Sequence, residues 1–291
     1  MRRLPLILPA ALAAAVVATD PARAEVRVSL TGSPQKRVSA VIEMWDLDGT
    51  NGIWSKVTSG DDFLILNPGG HAHGDGPPSI QINSVTQLPE AVWAFKIGRA
   101  MEIVWSRFDG EAWTSPVALT SGGRSFDPRL SIDDAGNRRV AFWRRLLSQE
   151  PDGLYVTTLP HAETQWWLPQ RISLEGVPTR RPDIRTYPSY GTFLVAEEET
   201  PDGLTISVFN LPVSDGSTPP QRDSDPWGRQ QVHMTGPKTW GLGVELVARP
   251  GSGGEVPQIQ WVEGQDSSML GTIYYDTQSL TWSRAFFVPV P

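Results

Sequence analysis

Of the four histidines in this 291-residue chain, two fall in one short loop, as His71-x-His73-x-Asp75. Imidazoles two positions apart in an extended segment point the same way, so they can share a metal ion with Asp75 as an oxygen ligand. A weakly bound divalent metal is the one cofactor these residues suggest. His161 and His233 read as structural, on a turn and an outer strand. Asp127 and Asp183, each beside a proline at the start of a β-rich run, are the weak candidates for acid–base chemistry. Glycoside hydrolysis needs such a carboxylate pair, and the gap between the two decides retention or inversion. An aspartate at a strand start is also ordinary turn chemistry, and that is the better reading of both. Arg124, Arg129, Arg180, Arg181, Lys238 and Trp240 cluster in or beside the same kind of loop. Guanidinium groups grip carboxylates with two parallel hydrogen bonds and an indole offers a flat apolar face to a sugar ring, so this set suits an anionic or polyhydroxylated ligand.

A repeated β unit must position these residues. The stretch EIVWSRFDGEAWTSPVALT, Glu102 to Thr120, reads as strand, Asp109-Gly110 turn and second strand opened by Trp113. Asp-Gly between apolar runs is a hairpin signal, because both residues tolerate the positive φ of such a turn. Trp54, Trp167, Trp227 and Trp282 open similar runs, and the five tryptophans lie 59, 54, 60 and 55 residues apart. Pro78, Pro128 and Pro182 recur at spacings of 50 and 54, where a first strand would begin, and the turn Pro151-Asp152-Gly153-Leu154 returns as Pro201-Asp202-Gly203-Leu204. A period of this size with four short strands per unit predicts an all-β chain folded as a β-propeller, most simply of five blades, four complete and four-stranded and the first truncated. The run NRRVAFWRRLL is the longest helix candidate, and its place in the repeat makes it a strand. In such a fold the loops NPGGHAHGDGPP, SGGRSFDP, EGVPTRRPD and TGPKTWGLG line the rim of the central channel.

With its hairpins, chiefly Ser106 to Trp113 (SRFDGEAW) followed by Thr114-Ser115-Pro116, the chain resembles the sialidase-like, or Asp-box (BNR), propellers. Ser106, Gly110 and Trp113 match the family pattern Ser-x-Asp-x-Gly-x-x-Trp, with the aspartate one place late at Asp109; WDLDGTNGIW and YYDTQSLTW are further decayed copies. For an active sialidase the resemblance implies an arginine triad, a Tyr/Glu nucleophile pair and an aspartate acid/base. The Phe/Tyr-Arg-Ile-Pro motif is missing, its nearest string being Phe287-Val288-Pro289, and Tyr274 and Tyr275 have no recognisable glutamate partner. Kelch repeats share the period but carry their glycine pairs elsewhere than Gly69-Gly70 and Gly122-Gly123. The expectation is therefore a non-catalytic binding module for carbohydrate or another anion. A sialidase- or furanosidase-like glycoside hydrolase in the central pocket is the alternative, and a protein–protein scaffold the next.

Composition supplies the address. Residues 1–24 read as a signal peptide: Arg2 and Arg3, an apolar run from Leu4 to Val17, and the A-x-A site Ala22-Arg23-Ala24. Residues 25–291 would form one domain. No later stretch is long and apolar enough for a membrane helix, and there is no cysteine, so export to a bacterial periplasm or the medium without disulfides is expected. Removing Arg2, Arg3, Arg23 and Asp20, a net +2, takes the formal charge from −7 to −9. An acidic chain without a basic run argues against nucleic acid or an anionic membrane as partner.

Overall fold

The computed structural model describes residues 27–29, 41–43, 54–55, 64–65, 78–145, 153–211, 228–234, 244–251, 254–263 and 269–289. All regular structure among them is strand, including Arg138–Arg145 inside the one helix candidate. The signal segment lies outside the described residues.

The repeat appears as successive antiparallel meanders. The first holds β1 (Arg27–Ser29), β2 (Val41–Glu43), β3 (Trp54–Ser55) and β4 (Leu64–Ile65). The second runs through β5 (Ser79–Ile82), β6 (Pro89–Ile97), β7 (Ala100–Arg107) and β8 (Val117–Ala118), and the third through β9 (Arg124–Ile132), β10 (Arg138–Arg145), β11 (Gly153–Leu159) and β12 (Gln170–Arg171). The fourth comprises β13 (Thr179–Tyr187), β14 (Gly191–Thr200), β15 (Gly203–Leu211) and β16 (Gly228–Met234). The fifth comprises β17 (Val244–Gly251), β18 (Gly254–Glu263), β19 (Met269–Asp276), β20 (Thr281–Trp282) and β21 (Phe286–Pro289).

The five-bladed propeller expected from this repeat is not what the strands form. The second and third meanders are joined into one eight-stranded sheet by a parallel bridge, Met101 against Arg124, so among the described residues the sheets hold four, eight, four and five strands and none is closed. The physical reason is local. Arg124 begins β9 directly after a tight Gly122-Gly123 passage, and the backbone leaves that passage alongside β7 instead of clear of it. Away from the bridge the two halves pack face to face: Val92, Ala94, Ile103 and Trp105 of the second meander lie against Leu130, Val140 and Phe142 of the third.

Both faces of the middle strands are covered, which is why AVWAF, VAFW and FLVA read as unbroken apolar runs. Ala141, Leu154 and Val156 turn to the other side and pack on Ile184, Leu194 and Ala196 of the fourth meander. Phe193 and Val195 in turn meet Leu246, Ile259, Trp261 and Tyr275 of the fifth. Each large side chain withdrawn from water in these layers contributes about 1.5–3 kcal/mol.

The first strand of a meander also reaches the next one through polar side chains. Ser79 Oγ and Gln81 Oε1 accept the amides of Leu130 and Ile132 at 3.0 and 2.9 Å. Asp183 Oδ2 accepts the amide of Leu246 at 2.7 Å, and Tyr187 donates its hydroxyl to the Val247 carbonyl at 2.9 Å. Edge backbone groups that would otherwise be open to stray pairing are thereby satisfied inside the fold.

The hairpin turns repeat as well. Asp109 Oδ1 accepts the amides of Glu111 and Ala112, and Asp276 Oδ1 accepts those of Gln278 and Ser279. Trp113 pairs with Phe108 as Trp282 pairs with Tyr275. In the third meander the equivalent residue is Trp166, one place before the expected Trp167. The Trp167 amide and carbonyl bond Thr158 and Thr157 as those of Thr114 bond Arg107 and Ser106. Trp227 lies outside the described residues.

Candidate functional site

The same irregularity opens β9 and β13. Along β9–β10 the register passes from Ala141↔Arg129 to Trp143↔Phe126, leaving Asp127 and Pro128 opposite Phe142 alone. Along β13–β14 it passes from Val195↔Asp183 to Glu197↔Arg180, leaving Arg181 and Pro182 opposite Ala196. These are two-against-one bulges, a device that re-aims side chains at a sheet end. In both, the residue before the proline is left-handed, with φ of 48° at Asp127 and 50° at Arg181. Proline pushes its predecessor toward extended backbone, and a non-glycine residue held left-handed costs on the order of 1–3 kcal/mol. The strain therefore occurs twice, at matching positions.

Each bulge residue ties down a side chain on the second strand. Asp127 Oδ2 accepts the indole N–H of Trp143 at 2.8 Å, and that indole stacks on Phe126 with ring centres 4.5 Å apart. One step toward the strand ends, Arg124 stands opposite Arg145. Alternation puts Arg124, Phe126, Trp143 and Arg145 on one face. Ala141 shares that face and packs on the fourth meander, so the face looks toward that sheet. Phe126 and Trp143 are partly exposed, and Arg124 and Arg145 are exposed.

In the fourth meander Arg181 takes the place of Asp127 and Glu197 that of Trp143. The Arg181 Nη1 donates to both carboxylate oxygens of Glu197, at 3.2 and 3.3 Å. Burial holds the Glu197 carboxyl above the ordinary carboxylate range, against the opposing pull of Arg181 and Arg180. Arg180 is exposed and stands opposite Glu197 in the register. The neighbouring Glu198 is fully buried and accepts bonds from Ser207 and Arg229.

The two candidate carboxylates do not occupy matching positions. Asp127 precedes its proline and Asp183 follows its own; Asp127 holds Trp143, while Asp183 caps Leu246 and also accepts the Ile184 amide at 3.0 Å. Arg129 is half-buried, with its guanidinium on the Pro128 carbonyl at 3.2 Å, and stands opposite Ala141 in the register. Arg124 and the Arg180–Arg181 pair lie at matching ends of β9 and β13. Lys238, Trp240, His71, His73 and Asp75 lie outside the described residues, and among the described residues no group of three His, Asp or Glu is placed to hold a metal. Sequence reading missed Phe126, Trp143, Arg145 and Glu197. Their signal is the period-two alternation across a hairpin, legible only once the bulge sets the register.

No protein-family model matches the chain, and no curated protein does. A crystal structure of a protein of unknown function from Dyadobacter fermentans DSM 18053 is similar, at 14% identity and a TM-score of 0.54, over 73% of this chain and 68% of that one. That likeness is one of fold. Among the described residues no helix is long and apolar enough to cross a membrane.

Proposed function

We propose that this is an exported, non-catalytic binding protein that takes an acidic saccharide at the bulged ends of β9 and β13. The observation that carries the reading is the repeated strain: two left-handed residues, each before a proline, aim Asp127 and Arg181 at the side chains of the strand ends. Strain retained twice at matching positions marks a place where geometry serves a ligand. The side chains suit a sugar acid, with a stacked aromatic pair for an apolar ring face and guanidinium groups for its charge. A non-catalytic role is favoured because Asp127 and Asp183 are both engaged in holding neighbouring parts of the fold. Export is supported by the basic, apolar and A-x-A pattern of residues 1–24.

The test is a glycan-array screen of the wild type followed by calorimetry on Arg124→Ala, Arg180→Ala, Arg181→Ala and Trp143→Ala. A charge-assisted hydrogen bond is worth about 1.5–3 kcal/mol, so each arginine variant is expected to bind about ten- to a hundredfold more weakly. Wild-type binding weakens with added salt. Trp143→Ala loses affinity while keeping the salt dependence, since it removes an apolar surface. Absence of acidic-glycan binding, or four variants indistinguishable from wild type, overturns the reading.

A further inference from the structure

The face of the third meander that looks toward the second carries two arginines without an acid. Phe142 packs in the layer between these sheets, and alternation along β10 puts Arg144 on the same side. Arg144 stands opposite Ser125 on β9 and Gly153 on β11, while Tyr155, which also packs on that layer, stands opposite Arg171 on β12. Two glycines make room for the guanidinium groups. A Cβ at Gly123 would stand 2.5 Å from Arg144 Nε, and one at Gly153 would stand 3.1 Å from both Arg171 Nε and the edge of the Tyr155 ring. Both arginines are half-buried, and each bonds one backbone carbonyl: Arg144 that of Ser121 at 2.7 Å, Arg171 that of Leu174 at 3.2 Å. Among the described residues neither meets a carboxylate, and the two Nε atoms and the hydroxyl of the fully buried Ser125 have no partner. Glu102, which holds the Gly123 amide, is engaged by that bond and by the Thr120 hydroxyl. Buried donors without acceptors cost stability and call for an explanation.

The fourth meander supplies the comparison. By register Glu198 takes the place of Arg144 and Ser207 that of Tyr155, and Glu198 accepts bonds from Ser207 and from Arg229 on β16. The third meander keeps a hydroxyl on its third strand and an arginine on its fourth, but has a further donor where the fourth meander has the acceptor. We propose that a small oxyanion, a carboxylate or an inorganic ion of the same oxygen chemistry, binds to Arg144 and Arg171 on this face, in the role that Glu198 fills one meander on. Guanidinium groups suit it because they present parallel N–H bonds to a pair of oxygens. The site lies on the face opposite the Phe126–Trp143 stack and does not depend on saccharide binding there.

Thermal melts and calorimetry on the full chain test this with acetate and sulfate, each against chloride at equal ionic strength. An oxyanion is expected to raise the melting temperature in a saturable way that chloride does not reproduce. A response to acetate alone marks an organic acid as the ligand, and a response to sulfate alone an inorganic one. Arg171→Gln is expected to weaken oxyanion affinity about tenfold or more. Arg144→Glu restores the acceptor found in the fourth meander, so it is expected to abolish the response while melting in chloride at or above the wild-type temperature. Two arginines with a merely structural role would instead give no oxyanion response in the wild type. Equal effects of oxyanions and chloride on the wild type, or an undiminished response in Arg171→Gln, overturn the site.

Discussion

Glu90 shows what a single charged residue does inside this fold. It is 1% exposed, yet each of its four acceptor directions is used: Arg138 reaches it through Nε and Nη2 at 2.7 Å, Asn83 Nδ2 at 2.7 Å and Trp105 Nε1 at 2.9 Å. The pair joins β6 to β10, the two halves of the eight-stranded sheet. Glu90→Ala strands a buried guanidinium and is expected to cost about 3–5 kcal/mol in urea melts, against much less for a swap of both residues to apolar ones of similar volume. Glu197 behaves differently, since burial raises its carboxyl. A carboxyl raised in the folded state contributes stability that is complete below its unfolded value and is lost as pH climbs through the folded one. Wild type is therefore expected to lose stability relative to Glu197→Gln as pH rises from about 4.5 upward, a difference read from paired thermal melts. Neither role is legible in the sequence, where both residues are simply glutamates on β-rich runs.

Strands and turns were far more legible. Pro128 and Pro182 hold matching places, though inside β9 and β13 at the bulges and not at the first residue as expected, and the Asp109 turn recurs at Asp276 although the glycine there is gone. The carboxylate–amide bonds explain that survival, because they hold the turn without any need for glycine, and the Ala112 and Glu111 amides lower the Asp109 carboxyl below its usual range. Alignment by tryptophan failed in the third meander because two indoles are adjacent there, and only the backbone bonds of Trp167 distinguish it from Trp166. Alignment by aspartate failed because Asp127 lies one residue before its proline and Asp183 one residue after its own, two positions apart once the matching bulges are superposed. In β19, Gly271 faces the indole of Trp261, which is 1% exposed, and an added Cβ would overlap it. Gly271→Ala is expected to destabilise by about 1–3 kcal/mol, visible as a lowered melting temperature.

At the scale of the whole molecule, the period-54 or so repeat led to the meanders but not to their union. Strand count and turn chemistry are local properties, whereas the second and third meanders become one sheet through a single backbone bridge, Met101 to Arg124, that no residue type signals. The same holds for the polar links from each first strand to the next: serine, glutamine and aspartate there look like ordinary surface residues until the neighbouring edge is in place. Those links make a claim about time as well as shape. An amide on a strand edge ordinarily trades its hydrogen for solvent deuterium quickly, but the hydrogens of Leu130, Ile132 and Leu246 are each locked onto a side-chain oxygen of the preceding meander. In deuterium-exchange experiments these three edge amides should be as slow as interior ladder amides, and Ser79→Ala should quicken Leu130 while Leu246 keeps its wild-type rate. The clock on each edge is set by the meander before it.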